Sequence, residues 1–314
     1  MHMSDALVSP PVALGAVAVS STLIVIAARK LKNNQRPDII PLMGIMGAFV
    51  FAAQMINFTI PGTGSSGHLI GGILLAALLG PWSAFLTLSS ILIVQCLVFA
   101  DGGLLALGCN ILNMAATSCL IGYPLFYKPI AGSSLKPWRI LVASVVGAVG
   151  ALEIGAFFVT LETEFSGITA LPFSTFLKFM LPIHVVIGLV EGLATGALLI
   201  FVASYRPSLL GSELGKEVEE RKSVKTVLWT FALLALFMAG GFSVLASEYP
   251  DGLEWSIEKV SGISELPSDL PPTAFMPDYD SNFAGIVGSI LVMVILWAFS
   301  SLLLPKLKKP LKGK

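Results

Sequence analysis

The apolar stretch LVSPPVALGAVAVSSTLIVIAA, residues 7 to 28, is followed at once by the basic stretch RKLKNNQR, residues 29 to 36. A transmembrane helix requires about 20 mostly apolar residues, a length that the first stretch provides. A cleaved signal peptide carries its positive charges before the apolar run, whereas here they follow it. Because cytoplasmic loops carry an excess of Lys and Arg, this order predicts a retained first helix with the N-terminus outside.

The rest of the chain repeats this apolar character. Of its 314 residues 55% are hydrophobic and only 12% are charged, a composition typical of multi-span membrane proteins. The net charge is zero, so nothing indicates a nucleic-acid partner. We predict an all-α, polytopic membrane helical bundle, with a seven-helix core and two additional C-terminal helices. The spans after the first are placed at residues 38–57, 68–80, 82–100, 103–126, 138–161, 174–204, 226–246 and 284–304.

The distribution of positive charge supports that arrangement. With the N-terminus outside, every one of the 19 Lys and Arg residues except Lys178 and Lys259 falls in a loop or tail on the predicted cytoplasmic side. We therefore expect a multi-pass protein of the cell inner membrane with an extracytoplasmic N-terminus and a cytoplasmic C-terminus. Its expected parts are a membrane core (1–204), a cytoplasmic linker (205–225) and a two-helix module (226–314) with an outer loop at 247–283.

A glycine-rich segment, FTIPGTGSSG at residues 58–67, interrupts the series of spans. The span that follows it, 68–80, is too short to cross a bilayer at about 1.5 Å per residue. Non-helical backbone at membrane depth is tolerated only where protein or a water-filled cavity covers it. We therefore predict a loop that dips in from the outer face, with His68 at the start of a short helix.

The histidines indicate a metal site on the outer side. The chain has three, His2, His68 and His184. The amine of Met1, a deprotonated amide of His2 and its imidazole can bind one ion as fused chelate rings, and His68 can supply a fourth nitrogen. Planar nitrogen coordination suits Ni(II), Cu(II) or a related late first-row ion. His184 is most simply a packing residue, and the roles of Glu153 and Glu191 stay open.

Other outer-side polar groups are candidates to orient the imidazoles through hydrogen bonds. They are Asp5, Asn57, Thr63, Ser65, Ser66 and Asp101. A membrane-embedded metalloenzyme that uses the same histidines is the competing hypothesis, and it requires an open coordination position beside a general base. A four-nitrogen planar site leaves no such position. The stretch GTGSSGH lacks the Gly-Lys-Ser/Thr ending of a phosphate-binding loop, so ATP hydrolysis is expected in another polypeptide.

Several motifs occur in the order found in one known family. They are the N-terminal MH, GAFVFAAQMINF (47–58), IPGTGSSGHLIGG (60–72), LLGPWSAF (78–85), FADGGLLALGCNILNM (99–114) and HVVIGLVEGLATG (184–196). The region 1–204 thereby resembles the CbiM/NikM family, the substrate-binding membrane component of nickel/cobalt energy-coupling-factor (ECF) transporters. PDGLEW, at 250–255, resembles the small companion subunit of the same systems, here fused over about 226–304.

The resemblance implies a transport subunit that imports Ni(II) or Co(II) as its substrate, without a resident cofactor. The implied metal ligands are the amine of Met1, the amide and imidazole of His2, and the imidazole of His68. The implied partners are an energy-coupling transmembrane protein and cytoplasmic ABC-type ATPases, whose ATP hydrolysis reorients the bundle in the lipid bilayer. The choice between nickel and cobalt and the stoichiometry of the complex stay open.

Overall fold

The computed structural model describes residues 1–32, 39–132, 135–210, 224–240, 246–263, 274–276 and 282–303. Nearly all regular structure in these ranges is helical. The helices are α1 (Pro10–Lys32), α2 (Ile39–Gln54), α3 (Gly72–Leu79), α4 (Pro81–Phe99), α5 (Leu107–Ala131), α6 (Pro137–Ser166), α7 (Phe173–Tyr205), α8 (Val224–Gly240), α9 (Gly252–Ser261) and α10 (Asn282–Leu303). A hairpin of two short strands, β1 (Phe58–Ile60) and β2 (Ser65–Gly67), lies between α2 and α3.

The predicted all-α helical bundle is confirmed. Among the described residues, five helices are long and apolar enough to cross a membrane, namely α1, α4, α5, α6 and α7. Three further helices are apolar over shorter stretches, namely Ile39–Gln54 in α2, Lys225–Gly240 in α8 and Phe283–Ala298 in α10. Large apolar side chains of α1 face outward, and Leu14 is 71% exposed. An exposed apolar surface of this kind is suited to contact with lipid.

The short helix α3 is buried on every side, as expected of a helix that is apolar all round. The sequence predicted this helix from residue 68, with His68 at its start, and that detail is wrong because the helix begins at Gly72. Gly71 adopts a left-handed φ of 76°, which stops the helix from extending backwards. The N–H groups of Ile70 and Gly71 donate to the Glu191 carboxylate, at 2.9 and 3.0 Å, instead of joining a further turn.

The predicted loop at 58–67 is ordered by strand pairing. Phe58 lies opposite Gly67 and Ile60 opposite Ser65 in an antiparallel register. The connection between the strands contains Gly62 and Gly64, both with positive φ angles. The hairpin therefore presents its return strand, and His68 directly after it, to the interior of the bundle, where β2 is fully buried.

The N-terminal segment folds into the bundle before α1 begins. Met1 is 4% exposed and Met3 is completely buried. The Met3 N–H donates to Asn110 Oδ1 at 2.8 Å, and the Met3 carbonyl accepts from Asn110 Nδ2 at 3.1 Å and from the Gly103 N–H at 2.9 Å. Gly103 and the first turn of α5 thus hold the amino terminus in place, and α5 begins at Leu107 and not at the predicted residue 103.

The C-terminal helices pack against the core at two places. α8 and α10 contact each other and both contact α2, while α9 packs against α7 and β2. Ser289 of α10 donates its hydroxyl to the Ala48 carbonyl of α2 at 3.2 Å. Of the predicted linker, the structure describes the end of α7 and a short turn at Pro207–Leu210. Residues 211–223, much of the outer loop 247–283 and the tail from 304 lie outside the described residues.

Candidate metal centre

The N-terminal amine and His68 meet inside the bundle. The nitrogen of Met1 lies 3.4 Å from His68 Nε2. The rings of His2 and His68 stack with centroids 5.1 Å apart and planes inclined by 21°. Nitrogen ligands lie about 2 Å from a metal, so two neighbouring ligands at right angles lie about 3 Å apart. The amine and His68 are therefore spaced nearly as two nitrogens bound to one ion.

Both ring nitrogens of His2 have a polar neighbour. Nδ1 lies 3.2 Å from Asp101 Oδ1 in the loop after α4. Nε2 lies 3.3 Å from Gln95 Oε1, in the last turns of α4. Neighbours of this kind fix the orientation of a metal-binding imidazole. Gln95 was not among the residues predicted for the site, and its contact with His2 was not predicted.

A buried chain of hydrogen bonds connects His2 with the exit of the hairpin. The amide of Gln95 donates to Gln54 Oε1 of α2 at 2.7 Å. Gln54 in turn donates to the Ile70 carbonyl at 2.8 Å. Since the Ile70 N–H donates to Glu191 of α7, this series of hydrogen bonds joins α2, α4 and α7 to the residues that follow the hairpin. Buried polar networks rigidify a site when their members are satisfied.

A carboxylate from the C-terminal part of the chain reaches the same place. Asp251, which directly precedes α9, forms an ion pair with the amine of Met1. Its other oxygen accepts the N–H groups of Leu253 and Glu254 at 2.8 and 2.9 Å. The pattern Asp-x-x-Glu is the sequence signal of a helix-capping box and could have predicted the start of α9. Nothing in the sequence indicated that Asp251 meets Met1.

A small cavity of about 10 Å³ borders these groups, and Met1, His68, His184 and Asp251 line it. His184 Nδ1 lies 2.7 Å from the Met180 carbonyl, one turn back in α7. Its Nε2 is buried and has no hydrogen-bond partner among the described residues. The third histidine of the chain, predicted to be a packing residue, therefore faces the cavity that His68 also lines.

Burial and charge keep the imidazoles of His2 and His68 unprotonated. Burial lowers the pKa of each to about 3, and the positive amine beside them acts in the same direction. Neutral imidazole is the form that binds a metal. Burial acts to raise the pKa of the Asp251 carboxyl, but the adjacent Met1 ammonium outweighs it, so that this pKa is lowered and the group is charged.

The two predicted carboxylates of the outer side have different neighbours. Asp101 lies against His2 as described above. Asp5 Oδ1 accepts the Ala106 N–H at 3.1 Å and so supports the loop before α5. A side chain at Gly103 would collide with Asp5, which makes this a close contact between the N-terminal segment and that loop. Asp5 thus shapes the wall of the site through the backbone.

The predicted residues of the hairpin region bond to backbone groups. The Thr63 hydroxyl donates to the Ile60 carbonyl at 2.9 Å within the turn. The Ser66 hydroxyl donates to the Tyr249 carbonyl at 2.7 Å, and the Ser65 hydroxyl to the Ser66 carbonyl at 3.1 Å. The Asn57 carbonyl accepts the Ser247 N–H at 2.8 Å. These residues thus order the hairpin and attach the segment around residues 247–250 to it.

The donor set near Met1 depends on main-chain nitrogen. Within the described ranges, no three His, Cys, Asp or Glu side chains are grouped so as to hold a metal ion. The site predicted from the sequence adds the terminal amine and the amide of His2 to the imidazoles. Amine, amide and imidazole nitrogens together suit a late first-row divalent ion.

A bundle of apolar helices that closes around nitrogen donors and a carboxylate is the arrangement expected of a membrane protein that binds or transports a metal ion. Comparison with known families gives the particular family. The profile of the CbiM family, described as the cobalt uptake substrate-specific transmembrane region, matches residues 2–209. The profile of the PDGLE domain matches residues 225–304. This chain belongs to the CbiM family and carries a C-terminal PDGLE domain, as the sequence motifs indicated.

Similar proteins combine the same two regions. A protein of Archaeoglobus fulgidus, named provisionally as a fused nickel transport protein NikMN, is 34% identical over 82% of this chain and 85% of its own length. The cobalt transport protein CbiM of Geobacter sulfurreducens is 27% identical over 83% and 78%. The crystal structure of a truncated transition metal transporter aligns with a TM-score of 0.57 and 29% identity, covering 65% of this chain and 99% of that one.

Family and fold together identify a multi-pass membrane protein that is a component of metal transport and not an enzyme. The competing hypothesis of a membrane-embedded metalloenzyme is set aside on this finding. The family membership also identifies a metal ion as the transported substrate.

Proposed function

We propose that this chain is the substrate-binding subunit of an ECF importer for Ni(II) or Co(II). The ion arrives from outside and is captured by the amine of Met1, the amide and imidazole of His2, and His68 Nε2. The observation that carries the proposal is the 3.4 Å approach of the buried amine to His68 Nε2, with the His2 ring stacked alongside. The low pKa of both imidazoles supports it, because their lone pairs are available at neutral pH.

The nature of the donors limits the substrate to a class of ions. Three of the four nitrogens come from two consecutive residues, so the main chain holds them close to one plane. Ni(II) accepts such a plane readily, and Co(II) follows it closely in the order of affinities for divalent ions. The names of the similar proteins are divided between nickel and cobalt. We therefore propose both ions as substrates.

Transport requires partners that this chain does not replace. Its glycine-rich stretch at 62–68 has no Gly-Lys-Ser/Thr ending for binding a nucleotide phosphate. We therefore assign ATP hydrolysis to separate ABC-type ATPases, joined through an energy-coupling transmembrane protein, which reorient the core (1–204) and release the ion inside. The site lies at the outer end of the bundle in this proposal, with the N-terminus extracytoplasmic and the C-terminus cytoplasmic.

Insertion of one alanine between Met1 and His2 tests the site most directly. It separates the amine from the His2 chelate, so the purified full-length protein should lose most of its bound Ni(II) and Co(II), measured as metal per protein by mass spectrometry. His68→Gln should have a similar effect. His184→Gln is the matched control, because it makes the same chemical change at a buried histidine outside the donor set.

Two outcomes decide whether these residues bind the metal or only support the structure around it. Retention of both ions by the insertion variant and by His68→Gln would contradict the proposed site. Equal loss of metal in His68→Gln and His184→Gln, with unchanged helical circular dichroism, would contradict the assignment of four nitrogens. A peptide tag at the N-terminus should abolish uptake by cells, whereas the same tag at the C-terminus should preserve it.

A further inference from the structure

The companion segment, residues 246–261, places the Asp251 carboxylate against the N-terminal amine. Asp251 forms an ion pair with the amine of Met1, and both line the same cavity as His68. We infer that Asp251 is a positioning residue, which holds the amine beside His68 before the metal arrives. The inference rests on the function proposed above, since it adds a residue of the PDGLE domain to that capture site.

Hydrogen bonds to the hairpin fix the companion segment on both sides of Asp251. Before it, the Ser247 N–H donates to the Asn57 carbonyl at 2.8 Å, and the Pro250 carbonyl accepts the Ser66 N–H at 2.8 Å. After it, Trp255 Nε1 donates to the Thr63 carbonyl at 3.0 Å. The backbone of Asp251 therefore cannot move away from the amine without breaking contacts in both directions.

The two oxygens of Asp251 have separate partners. Oδ1 accepts the N–H groups of Leu253 and Glu254, which close the first turn of α9. The Asp251 N–H donates to Glu254 Oε2 at 3.0 Å and completes the capping box. With Oδ1 and the backbone fixed in this way, α9 determines the direction of Oδ2, and Oδ2 points at the amine.

The buried amine needs this partner. Met1 is 4% exposed, and a buried ammonium is stable only when a counter-ion accompanies it. The second carboxylate near the histidines, Asp101, lies at His2 Nδ1. Without the charge of Asp251, the ammonium would lose the ion pair that holds it beside His68. The position of the first donor nitrogen thus depends on a residue 250 positions away in the chain.

Asp251 could instead serve only as the N-cap of α9, and one substitution separates the two roles. Asn caps a helix about as well as Asp, but it is neutral. Asp251→Asn therefore preserves α9 and removes the counter-ion. Asp251→Glu retains the charge on a longer side chain. Glu258→Gln is the matched control, because it removes one negative charge from an exposed side chain of the same helix.

The experiment uses the full-length protein with a C-terminal tag in detergent. A limiting amount of an N-hydroxysuccinimide ester acetylates accessible amines, and mass spectrometry measures the acetylated fraction of Met1. In the metal-free state we expect Asp251→Asn to be acetylated several-fold faster than the unmodified protein. Its dissociation constant for Ni(II), measured by calorimetry, should rise by about tenfold or more. Asp251→Glu should restore part of both values, and Glu258→Gln should match the unmodified protein.

Each result has a distinct meaning. If Asp251→Asn binds Ni(II) within twofold of the unmodified protein and Met1 is no more reactive, Asp251 does not position the amine, while the proposed function stands. If the unmodified protein binds neither Ni(II) nor Co(II), the proposed function fails, and the acetylation rates still decide whether Asp251 holds the amine. Slower acetylation in Asp251→Asn would overturn the inference outright.

Discussion

At the scale of single residues, the tautomer of His2 decides whether its imidazole can complete the chelate. The ring nitrogen nearer the main chain, Nδ1, closes a ring with the amide of the same residue. A neutral imidazole then keeps its one proton on Nε2, which faces Gln95 Oε1 at 3.3 Å. The amide group of Gln95 is oriented by its own donation to Gln54, so an oxygen faces His2. Gln95 therefore favours the tautomer that leaves Nδ1 available, whereas Asp101 Oδ1, 3.2 Å from Nδ1, favours a proton on Nδ1, so Gln95 and Asp101 compete for the tautomer.

Replacement of Gln95 by methionine should weaken metal binding without removing a ligand. Methionine has a similar shape but cannot accept the proton of His2 Nε2. Loss of such an outer partner costs about 10- to 100-fold in metal affinity, and we expect a rise of that size in the dissociation constant for Ni(II), measured by calorimetry. Ser89→Ala on the same helix is the control, because the Ser89 hydroxyl has no hydrogen-bond partner among the described residues. An unchanged constant in Gln95→Met would show that the tautomer is set elsewhere.

At the scale of elements, the junction between the hairpin and α3 depends on a distant helix. The Glu191 carboxylate of α7 accepts two N–H groups at the start of α3, where the helix dipole also favours negative charge. His68 lies just before this junction. The position of His68 is therefore determined by the packing of α7 as well as by the strands that precede it.

Glu191→Ala should destabilise the protein by leaving those two N–H groups buried and unpaired. At about 1 to 3 kcal/mol for each, the loss should amount to roughly 2 to 6 kcal/mol, and Glu191→Gln, which keeps one acceptor, should lose less. Thermal unfolding in detergent, followed by circular dichroism, measures the effect. Glu164→Ala on α6 removes an exposed carboxylate for comparison. Equal midpoints for Glu191→Ala and Glu164→Ala would mean that Glu191 does not hold the junction.

The sequence predicted those parts of the site that consist of a rare residue type or of neighbours along the chain. His2 and His68 could be paired because the chain has only three histidines and the charge pattern placed two of them on the same side. Asp251 and Glu191 could not be assigned, since their partners are more than 100 positions away and only the packing of helices brings them together. The start of α3 was predicted too early for the same reason, because the Glu191 contact replaces a helical turn.

At the scale of the whole molecule, α2 links the PDGLE domain to the metal centre. One part of α2 packs against α8 and α10, and its last residue, Gln54, belongs to the hydrogen-bond chain that reaches His2. Gly288 of α10 lies so close to the Phe51 ring that no side chain fits between them. The two regions matched by separate family profiles therefore share a tightly packed boundary.

Gly288→Leu should disturb this boundary and thereby weaken metal binding. Overpacking costs about 1 to 3 kcal/mol, which should lower the unfolding midpoint, and displacement of α2 should also weaken Ni(II) binding. Gly240→Leu is the control, because no atom of the described residues would contact a side chain at Gly240. Unfolding and calorimetry on both variants check the prediction. Loss of stability in Gly288→Leu with unchanged Ni(II) affinity would show that α2 does not transmit the change.

The position of Gln54 has a consequence for the evolution of metal preference. Nickel and cobalt differ in the geometry that they favour, so the angle at which His2 is presented can distinguish them. That angle is connected through Gln95 and Gln54 to the helix on which α8 and α10 rest. In the proposed site, substitutions that rotate α2 would change the orientation of the His2 imidazole while every ligand stays the same. Under the proposed function, selection for one ion therefore has targets in helices that carry no ligand, and relatives with identical ligands can diverge in the ion that they carry.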